Sequence, residues 1–276
     1  MKTKSLIAGI ILATGSSVAM ADQFFIDVGA DFGDNLRNQA AGSTTTGWLN
    51  QATYNYQSET LVTDADANGL SDGDAITTTG GFVSGPAGSS AIAFNAVEGF
   101  LPNSFGPESD NDYGDWGLTF QFELSGTLGP SLATNYNSGD ITFYYFEPGF
   151  TNTSEFVELF TLDFVSIVQS LGGPSLKTMV SSVGAGTVNG VAAGDVFNFA
   201  DGSMTDLLGD MVDIFSFVDF NTDPNDVAVT NNGDGTFTLN GNHDGSISFQ
   251  IPEPSSLAVL GLGLLGLAGA ARRRKS

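Results

Sequence analysis

Residues 117–126 read Gly-Leu-Thr-Phe-Gln-Phe-Glu-Leu-Ser-Gly, and the alternation is strict. Leu118, Phe120, Phe122 and Leu124 fall on one side while Thr119, Gln121, Glu123 and Ser125 fall on the other, which a half-buried β-strand requires and a helix does not allow. The same two-residue period recurs in Ile141 to Phe146, ended by Pro148-Gly149, and in Thr53 to Val62. Three further short strands are expected in Asp226 to Thr230, Gly235 to Gly241 and Gly245 to Ile251. Asn-Gly, Asp-Gly and Gly-Asn dipeptides separate them, which reads as an antiparallel meander with His243 in a turn.

Two stretches favour helix. In Ser154 to Pro174, residues Phe156, Leu159, Phe160, Phe164, Ile167, Val168 and Leu171 fall near one helical face, although the run also alternates acceptably as strand. Ser203 offers an N-cap for a helix whose face is Leu207, Leu208, Met211, Val212 and Phe215, after which Phe215 to Phe220 turns back into strand. With no repeat of solenoid length and no clear linker, the expected fold is mainly β. It is an antiparallel β-sandwich or jelly-roll-like ectodomain with one or two short helices and a C-terminal hydrophobic helix. A two-domain split near Asn103 to Asp115, where Pro, Gly and acidic residues cluster, is the alternative.

Charge then excludes partners. The net charge is −23, but Lys2, Lys4, Arg272, Arg273, Arg274 and Lys275 sit at the ends. Residues 22–251 therefore carry 30 acidic groups against Arg37 and Lys177 alone, a balance of −28. Such a surface repels phosphate backbones, which excludes nucleic acid as a partner. Screening by salt or binding of cations must offset the repulsion, which suits a saline or calcium-bearing exterior. An aromatic content of 11% argues against disorder. The absence of Cys removes disulfides, thiol nucleophiles and Cys-ligated zinc together.

Both ends read as addresses. Lys2 and Lys4, an apolar stretch from Leu6 to Ala13, and the small-x-small sequence Ala19-Met20-Ala21 form a secretory signal peptide, so that residues 1–21 are removed and Asp22 begins the mature chain. At the other end, Ser255 to Ala271 would span about 26 Å as a helix, just under the ~30 Å hydrocarbon core. Arg272 to Lys275 would stay cytoplasmic and leave the body outside. Pro252 and Pro254 resist helix formation and present an accessible backbone ahead of it.

The order Pro252-Glu253-Pro254, a Leu/Gly-rich helix and Arg272-Arg273-Arg274-Lys275 resembles the PEP-CTERM sorting signal of Gram-negative bacteria. The resemblance covers residues 251–276 and implies that a membrane-embedded exosortase recognises the tail and cuts at or near the motif. It further implies Sec-dependent export, transient anchoring in the inner membrane, and association with exopolysaccharide, biofilm or floc at the outer surface or in the matrix. The overall plan of residues 22–250, acidic, Cys-free and strand-rich, looks similar to flocculation-associated members of that group.

One loop carries possible chemistry. In Asp64 to Asp74, the residues Asp64, Asp66 and Asn68 alternate, Gly69 allows a sharp turn, Leu70 offers a carbonyl, and Asp72 takes the ninth place. This resembles the calcium loops of EF-hand, dockerin and thrombospondin type 3 proteins, and implies calcium as cofactor. The twelfth position is Ala75, with Asp74 one residue early, and a solvated Asp/Gly turn is the competing reading.

Asn232, Asp234 and Asp244 are explained by hairpin turns without an ion. His243 is the only His, and no Gly-x-Ser-x-Gly elbow accompanies it, so a catalytic triad is not expected. Glu123, Glu147, Glu155 and Glu158 are weak candidates for a glycosidase pair. Trp48, Tyr54, Tyr56, Tyr113 and Trp116 are candidate sugar-stacking platforms, with ordinary core packing as the alternative for each. The expected protein is a non-enzymatic, exported surface or matrix protein, with a secreted carbohydrate-binding or carbohydrate-active protein as the alternative.

Overall fold

The computed structural model describes residues 22–32, 42–81, 116–147, 153–170, 173–222 and 227–252. The expected signal peptide, Arg37, the Asn103 to Asp115 stretch, Tyr113, and Glu253 with the hydrophobic and basic tail lie outside these residues. The architecture is mainly β and antiparallel, as the alternation requires. Its strands are β1 (Phe24–Ile26), β2 (Ala52–Thr63), β3 (Ala75–Gly81), β4 (Gly117–Leu128), β5 (Thr134–Phe146), β6 (Val157–Ser170) and β7 (Gly173–Val183). There follow β8 (Thr187–Val188), β9 (Val191–Ala192), β10 (Phe197–Phe199), β11 (Gly202–Ser203), helix α1 (Met204–Gly209), β12 (Phe215–Thr222), β13 (Ala228–Asn231) and β14 (Thr236–Gln250).

The main sheet runs β12-β7-β6-β5-β4-β3-β2-β14-β13, and β12 pairs with β14 as well. That pairing, from Phe215↔Gln250 to Thr222↔His243, joins the two ends of the ladder. The two facing layers expected of a sandwich are thus walls of one sheet that closes on itself. Closure removes the unpaired edges through which open sheets aggregate. Strands β2 and β3 pair with β14 and β4, so elements on both sides of the Asn103 to Asp115 stretch belong to one sheet.

The inner wall is aromatic. Phe120 meets Tyr54 at 4.8 Å and Phe143 at 5.6 Å between ring centroids, and Phe143 stacks on Phe160 at 4.8 Å. A small sheet, β1-β10-β11, fills one end: Phe197 meets Phe160 edge-on at 5.0 Å and Phe24 meets Phe249 at 5.2 Å. A second, smaller cluster of Val62, Ile76, Leu128 and Leu239 fills the other end. Between them lie buried hydroxyls, Thr60 bonded to Thr78 at 2.8 Å and Tyr136 donating to Thr78 at 3.0 Å, so no polar atom of this trio is left without a partner.

Most outward positions, among them Glu59, Thr77, Thr79, Gln121, Glu123, Asp140 and Asp163, are polar, with Leu61, Val165 and Val229 as exposed apolar exceptions. Apolar inside and polar outside is the reverse of a transmembrane barrel. No helix among the described residues is long and apolar enough to cross a membrane.

Two expectations are corrected. Residues 157–170 form a 14-residue strand, not a helix. The pairing skips Leu159 against β5 and Val165 against β7, and these bulges break the alternation, which is why a helical spacing shows through. Residues 236–250 form one strand, not two, and His243 lies within it, opposite both Tyr56 and Thr222. Ladders on both sides override the turn tendency of Gly241 to Gly245.

Ser203 does cap α1, accepting from the Asp206 N–H at 3.1 Å while the Asp206 carboxylate accepts from the Ser203 N–H at 3.2 Å. The helix stops at Gly209, however. Met211 turns out to solvent with φ +59°, and Phe215 opens β12.

Candidate functional site

The register divides the barrel into two poles. Strand β2 starts at Ala52 opposite Ile247 and ends at Thr63 opposite Thr236. The pole around Ala52 therefore also holds Asp22, Leu49 and Phe249. The opposite pole gathers the 64–74 loop, the β4–β5 connection at 129–133 and the β13–β14 turn at 232–235.

The 64–74 loop is ordered by its own carboxylates. Its ends are fixed first: the Asp64 N–H donates to the Gly235 carbonyl at 2.9 Å, the Gly73 N–H to the Leu128 carbonyl at 2.8 Å, and the Leu128 N–H to the Asp74 carbonyl at 2.8 Å. Inside, Asp64 accepts from the Gly69 N–H at 2.8 Å and the Asn68 N–H at 3.2 Å, and Asp66 accepts from the Asn68 side chain at 2.7 Å. Asp74 accepts from the Ser71 N–H at 2.8 Å and its hydroxyl at 3.2 Å. Gly69, at φ +90°, makes the turn that a side chain would strain.

These bonds bring one oxygen each of Asp64, Asp66 and Asp74 within 4.8 Å of one another. Asp74, one residue before the vacant twelfth place, thus reaches the cluster and is itself buried. Asp72 stays outside it, Asn68 serves Asp66, and the Leu70 side chain packs on the small core cluster. Desolvation pushes the Asp64 carboxyl up, but donation from Gly69, with Asp66, Asn68 and Ala67 adding to it, holds it below the ordinary carboxylate range overall. An all-oxygen, pre-gathered trio of carboxylates suits a hard cation such as calcium; carbonyls and water would have to complete its six to eight ligands.

The stacking candidates separate by burial. Tyr54, Tyr56 and Trp116 lie inside the barrel, so core packing accounts for them. Trp48 is 49% exposed, braced edge-on by Phe25 at 4.9 Å. Among the carboxylate candidates, Glu147 accepts from the Tyr145 hydroxyl at 2.8 Å, with Asn189 donating to that hydroxyl at 3.2 Å. Burial, then Glu147 itself, drives the Tyr145 hydroxyl far above its ordinary range, so Glu147 holds the rim together. Glu155 and Glu158 are exposed.

Sequence reasoning missed an acidic row. Glu123 stands opposite Asp140, and Asp140 opposite Asp163, on three adjacent strands. Burial, then Asp163 and Glu123, push the Asp140 carboxyl upward. The row shows only when strands distant in sequence are set in register. Asp234 is explained as expected: it accepts from the Thr236 hydroxyl at 2.6 Å and N–H at 3.1 Å within its turn.

At the other pole β14 leads directly into the sorting segment. Gln250 still pairs with Phe215, Ile251 rests against the main core, and Pro252 is exposed. No curated protein and no solved structure matches the chain. A family model does match where β14 leaves the barrel: the PEP-CTERM protein-sorting motif, over residues 250–275, which points to an exported protein targeted to an exosortase.

Proposed function

We propose that the protein is a non-enzymatic structural component of the cell surface or extracellular matrix, carried out through the Sec machinery, held briefly in the inner membrane, and cut by an exosortase. The observation that carries this reading is the junction of the sorting motif, residues 250–275, with a closed barrel whose outer wall is polar and acidic. A wall of this kind suits a hydrated polymer matrix. Its many carboxylates reach anionic polysaccharide through divalent cations and neutral polysaccharide directly. Association with exopolysaccharide, in biofilm or floc, follows as the role.

The test is a gene deletion complemented with wild-type protein or with Pro252, Glu253 and Pro254 all changed to Ala. Loss of aggregation in the deletion, restored only by wild type, supports the role; unaltered aggregation in the deletion sinks it.

Within that role the Asp64–Asp74 loop stabilises the pole opposite the tail by holding calcium. Calorimetry on the mature domain should show calcium heat that vanishes in Asp64→Ala plus Asp66→Ala. An absence of heat in wild type leaves a solvated turn.

The carbohydrate-binding alternative rests on Trp48, whose exposed face suits stacking on a sugar ring. Trp48→Ala should weaken pelleting with purified exopolysaccharide under that alternative, and leave it unchanged otherwise.

A further inference from the structure

The residues that border the two expected export signals meet in space. Asp22, the first residue of the mature chain on the signal-peptide reading, forms an antiparallel bridge with Phe249 and donates its N–H to the Phe249 carbonyl at 2.8 Å. Its carboxylate Oδ2 accepts from the Ile251 N–H at 2.6 Å, across 229 residues of chain. Ile251 is half-buried against the core, and the next residue, Pro252, is exposed and has no N–H to give. The Ile251 amide is therefore the last backbone donor before Glu253, and a carboxylate holds it. Charge-assisted bonds of this kind are roughly twice as strong as neutral ones.

We propose that Asp22 is a positioning residue for tail processing: its carboxylate latches Ile251 to the barrel, so that the backbone open to the peptidase begins at Pro252. The proposal rests on the reading that residues 1–21 are removed on export and that the tail is cut by an exosortase. Peptidases commonly bind substrate as an extended strand through its backbone groups. Upstream of Pro252 those groups are taken, since Gln250 is paired to Phe215, Phe249 to Ser216 and Asp22, and Ile251 to Asp22. The cut is thereby confined to the C-terminal side of Ile251. Signal-peptide removal also turns the Asp22 amide into an α-ammonium, which strengthens its bond to the Phe249 carbonyl. Trimming one end tightens the grip on the other.

The experiment compares full chain, purified in detergent from a host lacking exosortase, as wild type, Asp22→Ala and Asp22→Asn, each with its N-terminus verified by mass. Thermolysin cuts ahead of large apolar residues, so the Gln250–Ile251 bond reports the latch. Cleavage there should be at least about ten-fold faster in Asp22→Ala and close to wild type in Asp22→Asn, whose amide oxygen still accepts. Equal rates in wild type and Asp22→Ala overturn the proposal. Should Asp22→Ala fail to fold, hydrogen exchange in wild type decides: a protected Ile251 amide supports the latch, and exchange as fast as in an unstructured peptide overturns it.

The same variants in an exosortase-positive host test the positioning role. Wild type should end at one residue beyond Ile251, and Asp22→Ala at mixed or upstream-shifted residues; a single unshifted end in Asp22→Ala overturns that role. Wild type that keeps its tail refutes the exosortase reading, while the thermolysin result still judges the latch.

Discussion

At the pole where the chain ends leave the barrel, Phe24, Phe197, Phe199 and Phe249 interlock with ring centroids 5.2 to 6.5 Å apart. At the opposite pole the buried apolar cluster comprises Val62, Ile76, Leu128 and Leu239, and the loop above it is held by carboxylates accepting from backbone amides. The first kind of cohesion is non-directional and involves no titratable group. The second is strongest while Asp64 is ionised, because the amides that donate to it hold its carboxyl below the ordinary range. One barrel thus has a tail-side pole fixed by packing and a far pole tuned by its solvent.

The largest effect that tests this contrast is a cavity in each cluster. Phe160→Ala, among the tail-side rings, should cost about 3–5 kcal/mol in urea unfolding, whereas Val62→Ala at the far pole should cost about 2 kcal/mol. Equal costs would erase the distinction between the poles. Next comes the wall between them. Gly139 has φ +130°, and a Cβ there would lie 2.1 Å from the Glu123 carbonyl oxygen, so Gly139→Ala should destabilise by about 2 kcal/mol or more. A neutral result would mean the wall has slack at that register.

A smaller gain is expected from the acidic row. Because the folded-state carboxyl of Asp140 is raised, its ionised form is the disfavoured one, and stability is lost as pH rises through its folded pKa. Asp140→Asn should therefore raise the melting temperature slightly at neutral pH, the effect being small because solvent screens this exposed group, and the gain should fade as pH falls below the carboxylate range. Thermal melts at pH 7 and pH 3.5 measure both.

Asp64 has the opposite sign. Its folded-state carboxyl is lowered, so its contribution is present above the unfolded value of about 3.9 and is lost as pH falls through the folded one. Asp64→Asn should flatten the acid limb of the melt profile below about pH 4. An unchanged limb would remove Asp64 from the account of the far pole.

How much of this was legible depended on sequence distance. Strands β4 and β5 declared themselves through Phe120, Phe122, Ile141 and Phe143, because those segments alternate without interruption, the bulge of β5 lying earlier, between Tyr136 and Ser138. β6 did not, since its bulges displace Ile167 from the Phe160, Leu162, Phe164 row, and only pairing with β5 and β7 decides it. His243 and Gly245 looked like turn residues until two ladders claimed them. In the Asp64–Asp74 loop the ligand types could be read in order, but the arrival of Asp74 at the cluster depends on the Leu128 contacts that anchor its backbone. Closure through β12 and β14, the Asp140 row and the Asp22 latch all join residues far apart in the chain, and local periodicity carries no trace of such meetings.

The β13–β14 turn has a consequence for protein engineering. Asn231 accepts from Gly233, Asp234 from Thr236, and Asn232 donates to the Thr236 carbonyl and hydroxyl, so the turn closes upon itself. It sits at the end of a wall whose strands β2 and β4 are each 12 residues long, a rise of about 40 Å before tilt. An epitope grafted between Asn232 and Thr236 would ride at the summit of the barrel, at the pole opposite Asp22 and Ile251, making the fold a natural pedestal for surface display.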